Sequence, residues 1–172
     1  MGLTQEGGRI YIITGWRGSG KTRLCTHLAE RQISRGWDVA GIICPPVLIG
    51  GRKVGISARN LRSGEIRPLA RLVASSPVEP CFRLGRWSFD PSTMEWGNDI
   101  LTQAAPCDML VVDELGPLEL QHGEGWRGAL DAINNGKYRL ALVVVRPELL
   151  EALPSAWHIQ RVITVGSLRK IT

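Results

Sequence analysis

Gly15-Trp16-Arg17-Gly18-Ser19-Gly20-Lys21-Thr22 decides the fold of this chain. The spacing fits G-x-x-x-x-G-K-[ST], and the flanking residues give the motif physical meaning. Before it, Arg9-Ile10-Tyr11-Ile12-Ile13-Thr14 is apolar and β-branched and reads as a buried strand. After it, Leu24, Cys25, Leu28 and Ala29 recur at helical spacing. Strand, glycine loop and helix in that order make a phosphate cradle. The glycines let successive backbone N–H groups point inward, and the first helical turn adds unpaired donors and the positive end of its dipole. Lys21 is then the mobile charge for the β and γ phosphates of ATP or another nucleoside triphosphate, and the Thr22 hydroxyl is placed to ligand a bridging Mg²⁺. The candidate nucleotide-binding residues are Gly15, Trp16, Arg17, Gly18, Ser19, Gly20, Lys21, Thr22 and Arg23.

A second acidic site completes such a cradle. Met109-Leu110-Val111-Val112 is a continuous apolar run, the pattern of a strand buried on both faces, and it ends in Asp113-Glu114. This is a Walker B pattern. Ligands of parallel sheets collect at the carboxyl ends of the strands, so Asp113 is expected to face the glycine loop and hold the metal shell. Glu114 beside it is expected to orient an attacking water, which points to hydrolysis. The alternative is a turn acid without a catalytic part, since Gly116-Pro117 bends the chain directly afterwards. Asp113-Glu114-Leu115-Gly116 also satisfies D-x-x-G, but no N-K-x-D for guanine is present.

The remaining pattern predicts an α/β fold: a three-layer P-loop NTPase domain with a mostly parallel central sheet and antiparallel hairpins inserted between Walker A and Walker B. Residues 39–44, 53–59 and 82–89 read as short strands separated by glycine turns at 49–51 and 63–64. Asp90 caps a helix that begins at Pro91 and runs to about Gln103. Trp126, Ala129, Leu130 and Ile133 form an apolar helical stripe closed by Gly136. Strand, helix and strand follow at 139–145, 147–153 and 162–165. An extra strand is expected between those at Arg9 and Met109. Residues 1–172 are read as a single domain.

At 172 residues and 44% apolar content the chain suits one core. No apolar run is long enough for a bilayer and no secretory leader stands at the amino end, so a cytoplasmic protein without membrane contact is expected. Cys25, Cys44, Cys81 and Cys107 lack C-x-x-C spacing and read as reduced thiols, with Cys25 and Cys107 as small buried groups. His27, His122 and His158 show no ligand spacing. The net charge of +5 rests on seventeen arginines against four lysines. Without an RNP, KH or zinc-finger pattern, and with the arginines spread out, nucleic acid is not the expected partner. Arg17, Arg86 and Arg146 are the candidates for stabilising charge on a transferred phosphoryl group. Trp16 either covers a nucleotide or is an exposed loop-tip aromatic; the other five tryptophans read as core or half-buried anchors.

The chain resembles the small nucleoside-triphosphatase family first described from thermophiles, also known as the cancer-related nucleoside-triphosphatases. The resemblance lies in the P-loop, Ala40-Gly41, Gly50-Gly51-Arg52-Lys53-Val54-Gly55, Ser63-Gly64-Glu65, Leu84-Gly85-Arg86-Trp87 and Val112-Asp113-Glu114-Leu115-Gly116-Pro117-Leu118-Glu119-Leu120. The Asp-Glu-x-Gly-Pro-x-Glu-Leu block is the specific piece. It implies a Mg²⁺-dependent hydrolase of nucleoside triphosphates with loose base preference. The chain departs from the family at Trp16, Arg17 and Arg23 in the loop, at Cys44-Pro45-Pro46 where the family tends to have Thr-x-Glu, and at Arg146 where a Thr-Val-His ending is usual.

Together these readings make Glu114, Lys21 and Arg146 the catalytic candidates and Thr22 and Asp113 the metal ligands. Two alternatives stay open. A nucleotide or small-molecule kinase would use the same cradle, with the 52–86 region closing over an acceptor. A nucleotide-gated accessory protein would bind a protein partner and turn over little.

Overall fold

The computed structural model describes residues 8–73 and 82–166. In chain order its elements are β1 (Arg9–Thr14), α1 (Lys21–Ile33), β2 (Val39–Ile43), β3 (Pro46–Ile49), β4 (Arg52–Asn60), β5 (Ile66–Leu72), β6 (Phe82–Leu84), β7 (Trp87–Phe89), α2 (Pro91–Thr102), β8 (Cys107–Leu115), α3 (Pro117–His122), α4 (Arg127–Asn135), β9 (Tyr138–Val145), a 3-10 helix (Pro147–Ala152) and β10 (Ile159–Thr164).

Consecutive side chains of the inner strands go to opposite faces, which is why those strands read as unbroken apolar runs. Ile12, Leu110, Val112 and Val143 join a core beneath α2 and α4, where Trp126, Ala129 and Ile133 pack. Ile13, Val111 and Val144 join a second core beneath α1, with Cys25 and Ala29. Burying a side chain of this size contributes about 1.5–3 kcal/mol. Three layers result, as the sequence predicts.

The described strands form one sheet in the order β10-β1-β9-β8-β2-β4-β5-β7-β6, with β3 also paired to β4. From β10 to β2 all neighbours are parallel. From β2 outward they are antiparallel. β9 supplies the expected strand between β1 and β8. The inserted hairpins therefore extend the same sheet.

Local signals explain most boundaries. Asp90 caps α2 by accepting the Thr93 N–H at 2.9 Å, with Pro91 in the first turn, a cap worth about 1 kcal/mol. Gly136 closes α4 at φ 63°. Gly50 and Gly51, at φ 56° and 75°, turn β3 into β4; two positive φ angles in a row suit a tight hairpin. Phe82–Leu84 and Trp87–Phe89 are two strands of a hairpin turning at Gly85-Arg86, where the sequence suggests one extended segment. Pro147–Ala152 is 3-10, and a short helix follows Gly116 where only a bend is expected.

Two strands escape the sequence reading. β3 begins at Pro46, whose missing N–H argues against a strand but is tolerated at a strand's first residue. β5 contains Pro68, which sits beside a register shift in its pairing with β4. No described helix is long and apolar enough to cross a membrane. Cys81 lies outside the described residues; Cys25 is buried, and Cys44 and Cys107 are partly so.

Candidate nucleotide and metal site

Parallel strands bring the two motifs to one edge. β1 and β8 are each paired in parallel with β9, so the loop leaving β1 and the acids ending β8 emerge on the same side. Thr22 and Asp113 are 91 positions apart in sequence, yet the Thr22 hydroxyl donates to Asp113 Oδ1 at 3.2 Å.

The loop is built by glycine. Gly15 has φ 142°, and a Cβ there would meet the Val165 carbonyl oxygen at 2.4 Å and Ser19 Oγ at 2.8 Å, so no side chain fits. Lys21 is buried, and its Nζ donates to the Gly15 oxygen at 2.7 Å and the Trp16 oxygen at 3.0 Å. Trp16 is 76% exposed, and Arg17 and Arg23 are exposed beside it. Among the described residues, Ser19 Oγ in the loop and Thr14 Oγ1 at the end of β1 are buried without a hydrogen-bond partner. A polar atom left in that state costs free energy that a ligand oxygen would recover.

Asp113 is 3% exposed. Burial raises its carboxyl from an ordinary 3.8 to about 6, against the lowering effect of hydrogen bonds from the Cys44 N–H and the Thr22 hydroxyl. Cys44 N donates to Asp113 Oδ2 at 3.0 Å. That bond gives the Cys44-Pro45-Pro46 stretch a task the sequence conceals. Pro45 cannot continue the ladder, so the chain turns between β2 and β3 and the Cys44 amide is free to face the acid. Burial, with the Asp113 charge, also holds the Cys44 thiol well above its usual range.

At Asp113 and Glu114 the pairing of β8 with β9 is interrupted, resuming at Leu115 and Val145. Arg146, directly after β9, donates from Nε to Glu114 Oε1. The residue considered as a phosphate sensor is thus joined to the candidate water-orienting acid. Behind them, the buried Glu119 accepts the Gly116 N–H at 2.7 Å and the Trp126 N–H at 2.8 Å. It ties the segment after the acidic pair to the start of α4. Charge-assisted bonds to two backbone amides make such a carboxylate a structural pin, and the sequence offers only its place in the specific block as a signal.

Arg86 lies in the β6–β7 turn, its guanidinium 5.6 Å from the Trp87 ring centre. The Lys53 ammonium is 5.1 Å from the same ring. Lys53 interacts electrostatically with Arg17, Glu114, Asp113 and Cys44, which sets it beside the site; in the sequence its only signal is its place in the 50–55 stretch of the resemblance. Many other arginines are engaged elsewhere: Arg62 with Asp38 at 2.7 Å, Arg59 with Glu30, Arg67 with Glu65 and Arg139 with Asp108.

The donor set suits magnesium. Thr22 Oγ1 and Asp113 Oδ1 are hard oxygens next to the glycine loop, and Mg²⁺ typically takes one or two carboxylates and completes its shell with water and substrate phosphate. Among the described residues no group of three or more His, Cys, Asp or Glu forms a closed protein cage. The orphaned Ser19 hydroxyl and the glycine-only wall at Gly15 equally suit a polyphosphate.

A sequence-family model described as NTPase matches residues 10–165. The chain is 31% identical over 134 residues to the nucleoside-triphosphatase THEP1 of Caldivirga maquilingensis, covering 77% of this chain and 73% of that protein. With the protein of the same name from Ignicoccus hospitalis it shares 33% over 144 residues, 82% of this chain and 80% of the other. The solution structure of a human cancer-related nucleoside triphosphatase matches with a TM-score of 0.64, over 95% of this chain and 90% of that one. At 22% identity this last likeness is one of fold.

Proposed function

The chain belongs to the NTPase family, and from that premise we propose that it hydrolyses nucleoside triphosphates to diphosphate and phosphate, using Mg²⁺ and discriminating little among bases. The observation that carries the reading is the meeting of Thr22 with Asp113, with Glu114 next in the chain.

In this reading Thr22 and Asp113 would hold the metal, which when bound would supply positive charge to the phosphate oxygens. The loop amides and Lys21 grip the polyphosphate. Glu114 accepts a hydrogen bond from the attacking water and takes its proton as the oxygen closes on the terminal phosphorus. Arg146 keeps the Glu114 carboxylate aimed through its Nε–H. Glu119 limits the freedom of the backbone that carries both acids. Catalysis is then mainly positioning and electrostatics. The exposed ring of Trp16 stands at the mouth of the loop, where it can border a base without reading its edge, in keeping with loose base preference.

The test is phosphate release from ATP, GTP, CTP and UTP, with and without Mg²⁺, for the parent, Lys21→Ala and Glu114→Gln. Lys21→Ala should lose nucleotide affinity. Glu114→Gln should bind normally and release phosphate about 10²-fold to 10⁴-fold more slowly. Undiminished turnover by Glu114→Gln would remove that residue as the water-orienting base, and transfer to added monophosphates in place of water would make the protein a kinase.

A further inference from the structure

Lys53 stands out among the cations near the site. It lies in β4, which pairs with β2 only at its far end, through Ile42 with Asn60 and Ile43 with Arg59. The rest of β4 continues past the carboxyl end of β2, the edge at which the glycine loop and the acidic pair emerge. Two irregularities bend this overhang, one opposite Val47 and Leu48 and one between Ile56 and Ser57. Lys53 comes to rest with its ammonium 5.1 Å from the Trp87 ring centre.

There the Lys53 ammonium interacts electrostatically with Arg17 of the loop and with Glu114 and Asp113. A triphosphate held by the loop, with Thr22 and Asp113 at its metal, would extend along the edge of the sheet that the β4 overhang borders. Lys53 is half-buried, and among the described residues it forms no ion pair. Trp87 is also shared with the Arg86 guanidinium, 5.6 Å from its centre. An ammonium on four rotatable carbons can leave an aromatic face for a phosphate at little cost.

We propose that Lys53 is a second phosphate-binding lysine, which moves from Trp87 to contact the terminal phosphoryl group of the bound nucleoside triphosphate. The assignment rests on the hydrolase reading for the identity of the ligand. It makes the antiparallel extension part of the substrate site, and it makes this chain sensitive to whether the third phosphate is present. Burial, with Arg17 nearby, also lowers the affinity of Lys53 for its proton, which agrees with a cation held ready for a negative partner.

Calorimetric affinities for a nucleoside diphosphate and for a β,γ-imido triphosphate, both with Mg²⁺, decide the matter in the parent, Lys53→Met and Lys53→Arg. Lys53→Met should weaken the triphosphate analogue about tenfold or more, roughly 1.4 kcal/mol, and leave the diphosphate within about twofold. Lys53→Arg, which keeps the charge, should restore most of the preference. Equal losses for both ligands, or no loss for either, would overturn the assignment. Melting temperatures within a few degrees of the parent identify folded variants, and a parent that binds both ligands without releasing phosphate would refute hydrolysis while leaving the affinity ratio to judge Lys53.

Discussion

Replacing Asp113 by Asn should stabilise the metal-free protein at high pH and leave it little changed in acid. The folded carboxyl titrates near 6 against an ordinary 3.8, chiefly because burial disfavours its charge. A raised acid pKa means the folded state binds the proton more tightly than the unfolded chain. The contribution is therefore complete below about pH 4 and is lost as pH rises through 6. Two units correspond to about 3 kcal/mol in all, and about half of it falls between pH 5 and pH 8. Asn carries no such proton and retains an oxygen for the Cys44 N–H. Urea unfolding of parent and Asp113→Asn at pH 5 and pH 8, without Mg²⁺, should show the variant gaining about 1–2 kcal/mol on the parent across that interval, or a few degrees in melting temperature. Mg²⁺ with a nucleotide analogue should then rescue the parent at pH 8 and not the variant. A parent–variant difference that is the same at both pH values would refute the claim that a buried charge at Asp113 opposes folding.

Glu119→Gln replaces one of the two carboxylate oxygens that accept the Gly116 and Trp126 amides, so urea unfolding should show a loss of about 2 kcal/mol, with slower phosphate release as the acidic pair loses its support. Arg146→Met frees Glu114, and turnover should fall about 10²-fold with nucleotide affinity unchanged; loss of affinity instead would return Arg146 to the phosphates. The Cys25 thiol is pushed up to about 12 by burial and the Asp113 charge, and Cys44 is raised likewise. Iodoacetamide at pH 8 should therefore leave both unmodified in the native protein and alkylate them in urea, as read by mass spectrometry.

Features that depend on near neighbours in the chain were legible without coordinates. The glycine loop, the Asp90 cap with Pro91, the Gly136 stop and the twice-buried strands each express a preference acting over a few residues, and each stands where expected. The location of the acids was legible for a related reason: parallel strands share a carboxyl end, so Thr22 and Asp113 were bound to approach once both motifs were recognised. Pairings between distant side chains were not. Arg146 reaches Glu114 because β9 lies beside β8, and Lys53 reaches Trp87 because β4 overhangs and bends. Sheet order, register shifts and the turn at Cys44-Pro45 arise from the packing of the entire domain. Local propensity carries almost no information about them, and it was packing that brought a glycine loop and two acids together as a candidate site with its supporting residues in place.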